Sequence, residues 1–108
     1  MASGVAVEEQ IVDTGFEYVP GDPVRVRIVR RDRRTRVTDD GGGVTRAGHP
    51  AGWRSVAERV ADEVVVNVSR HGVISLPVSS RGPALEALVQ RIGEASLALY
   101  QEILELDG

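Results

Sequence analysis

The chain contains neither cysteine nor lysine, and it is poor in aromatic residues. Without cysteine it has no disulfide, no thiolate metal ligand and no cysteine nucleophile. Without lysine it has no Walker-type phosphate loop, no Schiff-base or pyridoxal chemistry and no lysine-dependent nuclease site. Since only 4% of the residues are aromatic, the core must be built from valine, leucine, isoleucine and alanine.

Long apolar runs are also absent, and none approaches the roughly 18 residues that cross a bilayer. The first residues lead quickly into Glu8 and Glu9, so we expect no signal peptide and a cytoplasmic protein. A length of 108 residues predicts a single domain. We expect a weakly ordered segment over residues 1–13 and the core over residues 14–106.

Arginine is the feature that stands out. All thirteen basic residues are arginines, and seven of them lie between Arg25 and Arg36. With Asp32 as its only acid, this arginine window carries a charge of +6 in a chain that totals −3. Such a concentration needs either an anionic partner or an internal acidic surface against it, and the sequence leaves both open. A GC-rich bacterial genome explains the use of arginine for lysine, but not the clustering.

Alternating β-branched and polar residues predict two β-hairpins. Asp32-Arg33 is expected to be the two-residue turn of the first hairpin. The three glycines at 41–43 predict a turn or a mobile loop. Pro77 is expected at a sheet edge, because proline cannot donate to a strand ladder. The predicted strands cover residues 16–19, 24–29, 35–38, 64–68 and 73–76.

Two helices are predicted from apolar residues at 3–4 residue spacing. The first begins after Pro50 and the second runs from about Ala84 to Glu105. The order of elements predicts an α+β fold, with a mostly antiparallel meandering sheet of about five strands and the long C-terminal helix packed on one face. The apolar stripe of this helix is wide, which predicts either a homodimer or a helix that covers the whole sheet. The predicted dimer residues are Val89, Leu97, Tyr100 and Leu104.

The hairpin register decides what the arginines face. The Asp32-Arg33 turn predicts Arg25 opposite Asp40, Arg27 opposite Thr38 and Val29 opposite Arg36. Like charges would then meet at the tip, so the tip needs anions from elsewhere. The candidate binding residues are Arg25, Arg27, Arg31, Arg33, Arg34 and Arg36.

The preceding turn decides where the aromatic residues lie. A three-residue loop at 21–23 predicts Tyr18 opposite Val26, Phe16 opposite Ile28 and Glu17 opposite Arg27, and we favour it because it buries both rings. A four-residue loop would interleave the rings with arginines, as in a stacking platform for single-stranded nucleic acid. The acidic total of the chain argues against nucleic acid, and an acidic protein is the other partner considered.

Residues that could support catalysis are few. Asp39 and Asp40 are adjacent, so on a strand only one of them could join a metal site on a given face. His49 and His71 lie in predicted loops, with no third ligand evident. Ser79-Ser80 lacks the elbow motif of a nucleophilic serine. We therefore expect no cofactor, no metal and more likely no enzyme. The primary prediction is a non-catalytic binding or assembly module; nucleic-acid binding through the arginine window is the alternative, and a metal-dependent hydrolase using Asp39, Asp40 and a histidine is a weaker one.

Three sequence segments carry a family resemblance: Thr14-Gly15-Phe16, Gly21 to Val26, and Val37-Thr38-Asp39-Asp40-Gly41. Together with the C-terminal helix, they resemble a small bacterial and phage domain family of unknown function, whose hairpin ends in Asp-Asp-Gly and whose last helix is rich in leucine and isoleucine. The resemblance covers residues 14–106, although Gly15 stands where a proline is common. It implies the fold given above, no established catalytic residue, and an association with mobile-element or defence loci.

Overall fold

The structure is a computed structural model that describes residues 7–106. Five strands form one sheet in the order β1-β2-β3-β5-β4, and every neighbouring pair is antiparallel. The predicted α+β architecture is confirmed, including the long C-terminal helix. The elements are β1 (Val7–Val19), β2 (Asp22–Arg31), β3 (Arg34–Thr38), α1 (Gly42–Ala47), α2 (Trp53–Val64), β4 (Asn67–Val68), β5 (Ile74–Val78) and α3 (Leu85–Glu105).

The core lies between one face of the sheet and α3. On β2 the alternation of side chains buries Val24, Val26 and Ile28, while Arg25 is exposed and Arg27 half-buried on the other face. Helix α3 contributes to the core a stripe of apolar side chains at 3–4 residue spacing. Helices α1 and α2 pack against α3. The fully buried aliphatic side chains of this stripe are Ile92, Ala95, Leu99 and Ile103.

The strand β1 is longer than the sequence predicted. Residues 7–13, expected to be weakly ordered, pair with β2 without a break from Val7–Arg31 to Asp13–Arg25, while residues 1–6 lie outside the described part. The register shifts after Asp13, and the hairpin closes through a two-residue turn between the paired residues Val19 and Asp22. The predicted three-residue loop was therefore wrong.

The partners predicted for the aromatic residues were wrong for the same reason. Val26 faces Val12 rather than Tyr18, and Ile28 faces Gln10 rather than Phe16; likewise Glu17 pairs with Pro23. The aromatic side chains nevertheless lie on the core face, with Tyr18 only 6% exposed. A bulge in β1 compensates for the change in register, so the length of the loop does not by itself decide on which face of the sheet the aromatic side chains lie.

The β2–β3 hairpin follows the prediction. Asp32 and Arg33 form the turn, Arg27 faces Thr38 and Val29 faces Arg36. Asp32 adopts a φ of 56°, a left-handed conformation that two-residue hairpin turns require and that aspartate tolerates. Two local signals, strand alternation and the turn, are enough to fix this register.

The glycine segment is more ordered than expected, because Gly42 and Gly43 open α1. A Cβ on Gly43 would lie 2.3 Å from the backbone oxygen of Ser96 in α3. The missing side chain thus lets the backbones of the two helices approach. A turn is still present at Gly41, whose φ of 77° is left-handed.

The second hairpin is shorter than predicted. Most of the predicted strand 64–68 is wrong, because α2 continues to Val64 and Val65 caps it in a left-handed conformation. Only Asn67 and Val68 pair with β5, opposite Ser75 and Ile74. Beyond Ser75 that side of β5 has no strand neighbour in the described residues. Pro77 lies there, at a local sheet edge as predicted.

Candidate functional site

The base of the β2–β3 hairpin is electrically matched from within the chain. The guanidinium of Arg27 donates from Nε and Nη2 to Asp40 at 3.0 and 2.8 Å, and from Nη1 to Glu9 of β1. These carboxylates hold the pKa of Arg27 above its usual value, the hydrogen bond to Asp40 being the largest cause. Asp40 was predicted to face Arg25, but it reaches along the strand to Arg27 instead.

Two more arginines of β2 face acids on β1. Arg25 lies opposite Asp13, and Arg30 lies opposite Glu8. The internal acidic surface that the sequence allowed thus exists along β1. Of the three, only Arg27 forms ion pairs in the described residues. We call Arg25, Arg27 and Arg30 the matched arginines, since each is paired with an acid or lies opposite one in the sheet register.

The far end of the hairpin is different. Arg31 and Arg34 face each other across the last pair before the turn, and Arg31 faces Val7 on β1. Arg36 donates from Nη2 to the neutral hydroxyl of Ser75 at 2.8 Å. Across residues 7–106, none of the four arginines at this end forms an ion pair. We call Arg31, Arg33, Arg34 and Arg36 the arginine tip.

The arginine tip surrounds an open surface depression. Its volume is about 670 Å³, and its walls come from β2, β3 and the turn between them. All four tip arginines are exposed, while Val29 below them is half-buried. Residues 1–6, which precede Val7 in the chain, contain no acid. The tip is a concentrated positive surface with which no acid of β1 forms an ion pair. Its lining residues are Val29, Arg31, Asp32, Arg34 and Arg36.

A buried polar network lies at the opposite end of the hairpin. Asp39, directly after β3, is 4% exposed, and Ser96 in the middle of α3 is 0% exposed. The Ser96 hydroxyl donates to Asp39 Oδ2 at 2.6 Å. Because that hydroxyl has one proton, Tyr18 is the donor in its 2.8 Å bond to Ser96 Oγ. The network joins β1, the end of β3 and α3.

Backbone groups complete this network. Asp39 Oδ1 accepts from the N–H of Gly41 and the N–H of Ile74, both at 2.8 Å, and Gly43 N–H donates to Ser96 Oγ at 3.1 Å. Burial raises the pKa of Asp39 above its usual value, while the hydrogen bonds from Ser96, Ile74 and Gly41 act against this rise. Burial also raises the pKa of Tyr18. The Ser96 hydroxyl is buried and already bonded, so it cannot reach a substrate.

The network was missed in the sequence, although one signal was present. Ser96 interrupts the apolar positions of the last helix with a polar side chain, which needs a hydrogen-bond partner when buried. Its partners Tyr18 and Asp39 are 78 and 57 residues away along the chain. No local pattern connects residues so distant.

A shallow cavity of about 380 Å³ lies beside this network. Arg46 of α1 donates to both carboxylate oxygens of Asp22, at 2.6 and 3.1 Å, and lies 4.4 Å from the ring centroid of Tyr18. The hydrogen bond from Arg46 lowers the pKa of Asp22. Arg46 and Asp22 both line this cavity, and their charges neutralise each other in an ion pair.

The predicted metal ligands do not converge. Asp39 is enclosed in the network, and Asp40 is paired with Arg27. His49 packs edge-on against Trp53 at 4.7 Å, and His71 lies in the turn between β4 and β5. Within residues 7–106 no group of three or more histidine or acidic side chains could hold a metal ion. The hydrolase alternative has no assembled site in this part of the chain.

The residues predicted for a dimer have different environments. Val89 is 6% exposed and belongs to the core, while Tyr100 packs against Tyr18 with ring centroids 5.3 Å apart. Leu97 is half-buried. Leu104 is 43% exposed. A dimer through this face would therefore depend mainly on Leu97 and Leu104.

Comparison with known proteins adds no relative. No family model matches the chain, and no similar protein is found among curated proteins or solved structures. The family resemblance of the Asp-Asp-Gly hairpin stays a prediction. Among residues 7–106, no helix is both long enough and apolar enough to cross a membrane.

Proposed function

We propose that this chain is a non-catalytic binding module, and that the arginine tip holds the phosphate backbone of a nucleic acid. The observation that carries the proposal is the contrast within one hairpin. Arg27 is paired with Asp40 and Glu9, whereas Arg31 and Arg34 face each other and neither forms an ion pair within residues 7–106. Like charges opposite each other on neighbouring strands are destabilising, and an anion between them would relieve the repulsion.

The composition of the tip favours nucleic acid over an acidic protein. Protein interfaces depend on buried aromatic or aliphatic anchors at their centre. Among residues 7–106, the only apolar side chain that lines the tip depression is the half-buried Val29, beside Asp32 and three arginines, and Tyr18 and Phe16 lie on the other face of the sheet. Nucleic-acid interfaces are more polar and much more positively charged than protein interfaces.

The same composition indicates how the module would bind. The described lining of the tip depression contains no aromatic ring on which a base could stack. Recognition would therefore rest on phosphate contacts, which carry no sequence information. We expect similar affinity for unrelated sequences of equal length. The acidic total of −3 would keep this affinity modest and confine contact to the tip.

The test is fluorescence anisotropy of labelled single- and double-stranded DNA and RNA at about 50 and 200 mM salt. Four phosphate contacts on a single strand predict that affinity falls by about 50-fold over this range. The double variant Arg31→Ser/Arg34→Ser should flatten the slope of log affinity against log salt by about 1.4.

The matched control is Arg54→Ser/Arg70→Ser. Both residues are exposed and lie together beside α2 and β4, away from the tip, and they remove the same charge. This control should keep the slope of the unaltered chain. No binding at about 50 mM salt, or equal losses in both double variants, would contradict the proposal and direct the search to acidic proteins.

We also propose that the module assembles as a homodimer. Support comes from apolar side chains left exposed on the described surface, among them Ile11 at 59% and Leu104 at 43%. Light scattering should then give a mass near twice 11.6 kDa. A monomeric mass at high concentration contradicts this part of the proposal without affecting the arginine tip.

A further inference from the structure

The two edges of the sheet differ sharply. The β4 edge contains only Asn67 and Val68. The β1 edge pairs with β2 over seven consecutive residues, Val7–Asp13, in one unbroken register. That segment has no proline, glycine or basic residue, and no segment among residues 7–106 pairs with its outer side. Long regular edges of this kind are templates for adding another strand.

Apolar surface accompanies the β1 edge on both faces of the sheet. On the open face, Ile11 is 59% and Val7 49% exposed. On the core face, a groove of about 330 Å³ runs between β1 and the start of α3, with Val12, Leu85 and Val89 in its walls. A strand added to β1 would cover both.

Symmetry limits how a second copy could pair here. Two β1 strands related by a two-fold axis normal to the sheet run antiparallel, and each side chain stays on its own face. The axis must then pass midway between the two copies of one residue of the segment, so that this residue pairs with its own copy. Placed at Gln10, the midpoint, it pairs all seven residues: Gln10 with itself, Glu9 with Ile11, Glu8 with Val12, and Val7 with Asp13.

Charge selects the same register. With the axis at Gln10, every carboxylate of the segment faces an uncharged side chain. Moving the axis to Glu9 would set Glu9 opposite its own copy, and moving it to Ile11 would set Glu9 opposite Asp13. Like charges directly opposite each other destabilise a strand pair, so both shifted registers are disfavoured.

We propose that a second copy of this chain docks on the β1 edge in this register, which joins two five-stranded sheets into one of ten strands. This inference rests on the proposed homodimer and locates its interface away from α3. Since the axis is normal to the sheet, the two arginine tips would lie at opposite ends of the same assembly, with their strands in one continuous sheet. One dimer would then offer two phosphate-binding surfaces.

The register predicts that the sign of a charge at position 11 controls assembly. Ile11→Glu sets Glu9 of each copy opposite the new glutamate of the other copy, which makes two pairs of facing carboxylates. This repulsion should raise the dimer dissociation constant at least about tenfold. Ile11→Arg faces Glu9 with a positive charge and should keep the dimer. Sedimentation equilibrium of the full-length chain measures both constants.

A folding defect in the monomer would not weaken the Ile11→Glu dimer while sparing the Ile11→Arg dimer. Within one copy position 11 faces Arg27 on β2, so the glutamate is the better tolerated of the two substitutions in the monomer. Thermal melts monitored by circular dichroism check this. Leu104→Glu is the matched control, since it puts the same charge on the exposed end of α3, and it should leave the dissociation constant unchanged.

A cysteine scan tests the register directly, because the natural chain contains no cysteine. Opposite Cα atoms in an antiparallel pair lie about 4.5–5.5 Å apart, within the range that a disulfide spans. Gln10→Cys should therefore oxidise to a covalent dimer. Glu8→Cys, also exposed, would place its two sulfur-bearing residues about 13 Å apart along the strands and should stay uncrosslinked.

Two outcomes would overturn this interface. If Leu104→Glu dissociates the dimer while Ile11→Glu does not, the homodimer stands but its interface is on α3. If the cysteines at positions 8 and 10 crosslink equally, the proposed register is wrong. A loss of nucleic-acid binding in the variant Arg31→Ser/Arg34→Ser bears on the arginine tip alone.

Discussion

The two ends of the β2–β3 hairpin carry the same residue type in opposite circumstances. At the base, Arg27 is held by Asp40 and Glu9, next to a buried network centred on Asp39. At the tip, Arg31 and Arg34 face each other across the strands, and neither forms an ion pair within residues 7–106. A cluster of seven arginines in the sequence is therefore two features in the fold. Arg27 at the base is held by ion pairs within the chain, whereas the tip arginines form none among residues 7–106 and are the proposed binding surface.

The base of the hairpin is expected to be the more sensitive end. Asp39→Ala would remove the acceptor of two backbone N–H groups and of the Ser96 hydroxyl. Each unsatisfied buried donor costs about 1–3 kcal/mol, so we expect a loss of about 3–5 kcal/mol in the free energy of unfolding, measured with urea. Asp39→Asn keeps an acceptor of similar shape and should lose less. A loss below about 0.5 kcal/mol for the alanine variant would mean that the network is not structural.

The close approach of α1 and α3 gives the next largest effect. Gly43→Ala puts a Cβ at 2.3 Å from the backbone oxygen of Ser96, so the helices must separate and the network must stretch. Overpacking of this kind costs about 1–3 kcal/mol. Thr45→Ala is the control, because Thr45 is exposed on the same helix. Equal stability of the two variants in thermal melts would contradict the packing argument.

The buried carboxyl of Asp39 also makes the stability of the base depend on pH. The pKa of Asp39 is raised in the folded chain above its ordinary value of 3.8, so the folded state binds its proton more tightly than the unfolded state. Its contribution to stability is full below 3.8 and is lost as the pH rises through the folded pKa. The paired Asp22, whose pKa is lowered, acts in the opposite direction.

The difference in free energy of unfolding between the unaltered chain and Asp39→Asn isolates the contribution of Asp39. Urea titrations of the unaltered chain and of Asp39→Asn, across the acid range, should show the asparagine variant gaining relative stability as the pH rises. The Asp22 contribution cancels in this difference, because both chains retain it. A difference that is constant with pH, or one that runs the other way, would show that Asp39 does not titrate as described.

The smallest effects are expected among the arginines themselves. Arg27→Ser breaks a partly exposed pair and should cost about 0.5–1 kcal/mol, whereas Arg31→Ser, Arg33→Ser and Arg34→Ser together should stay within about 0.5 kcal/mol per site. Denaturant titrations at one salt concentration measure both. A loss of more than about 2 kcal/mol in the triple tip variant would make the tip structural and would remove the contrast between the two ends.

The sequence was most informative where its signals are local. The turn at Asp32-Arg33 and the alternation from Val24 to Ile28 fixed the register of the hairpin, because neighbouring residues set both. Likewise the spacing of Trp53, Val56 and Val60 located α2, and the leucine–isoleucine stripe located α3. From these the α+β class followed.

Other features depended on residues far apart in the chain. The first half of β1 is ordered because β2 offers it a partner strand, not because its own pattern is strong. The second hairpin shrank to two residues of β4 because α2 runs through Val64. Gly42 and Gly43 became the start of a helix that packs closely against α3, which leaves room for only a hydrogen at Gly43.

By itself the sequence determined that the chain would concentrate positive charge on one hairpin, since composition and strand alternation are properties of adjacent residues. Only the tertiary structure decided which arginines keep that charge available. The acids of β1 and Asp40 match the base, and Arg31 lies opposite Val7, the first described residue of the strand. Charge matching depends on distances across the sheet, and folding alone brings Glu9, Arg27 and Asp40 together, while no ion pair forms at the tip within residues 7–106.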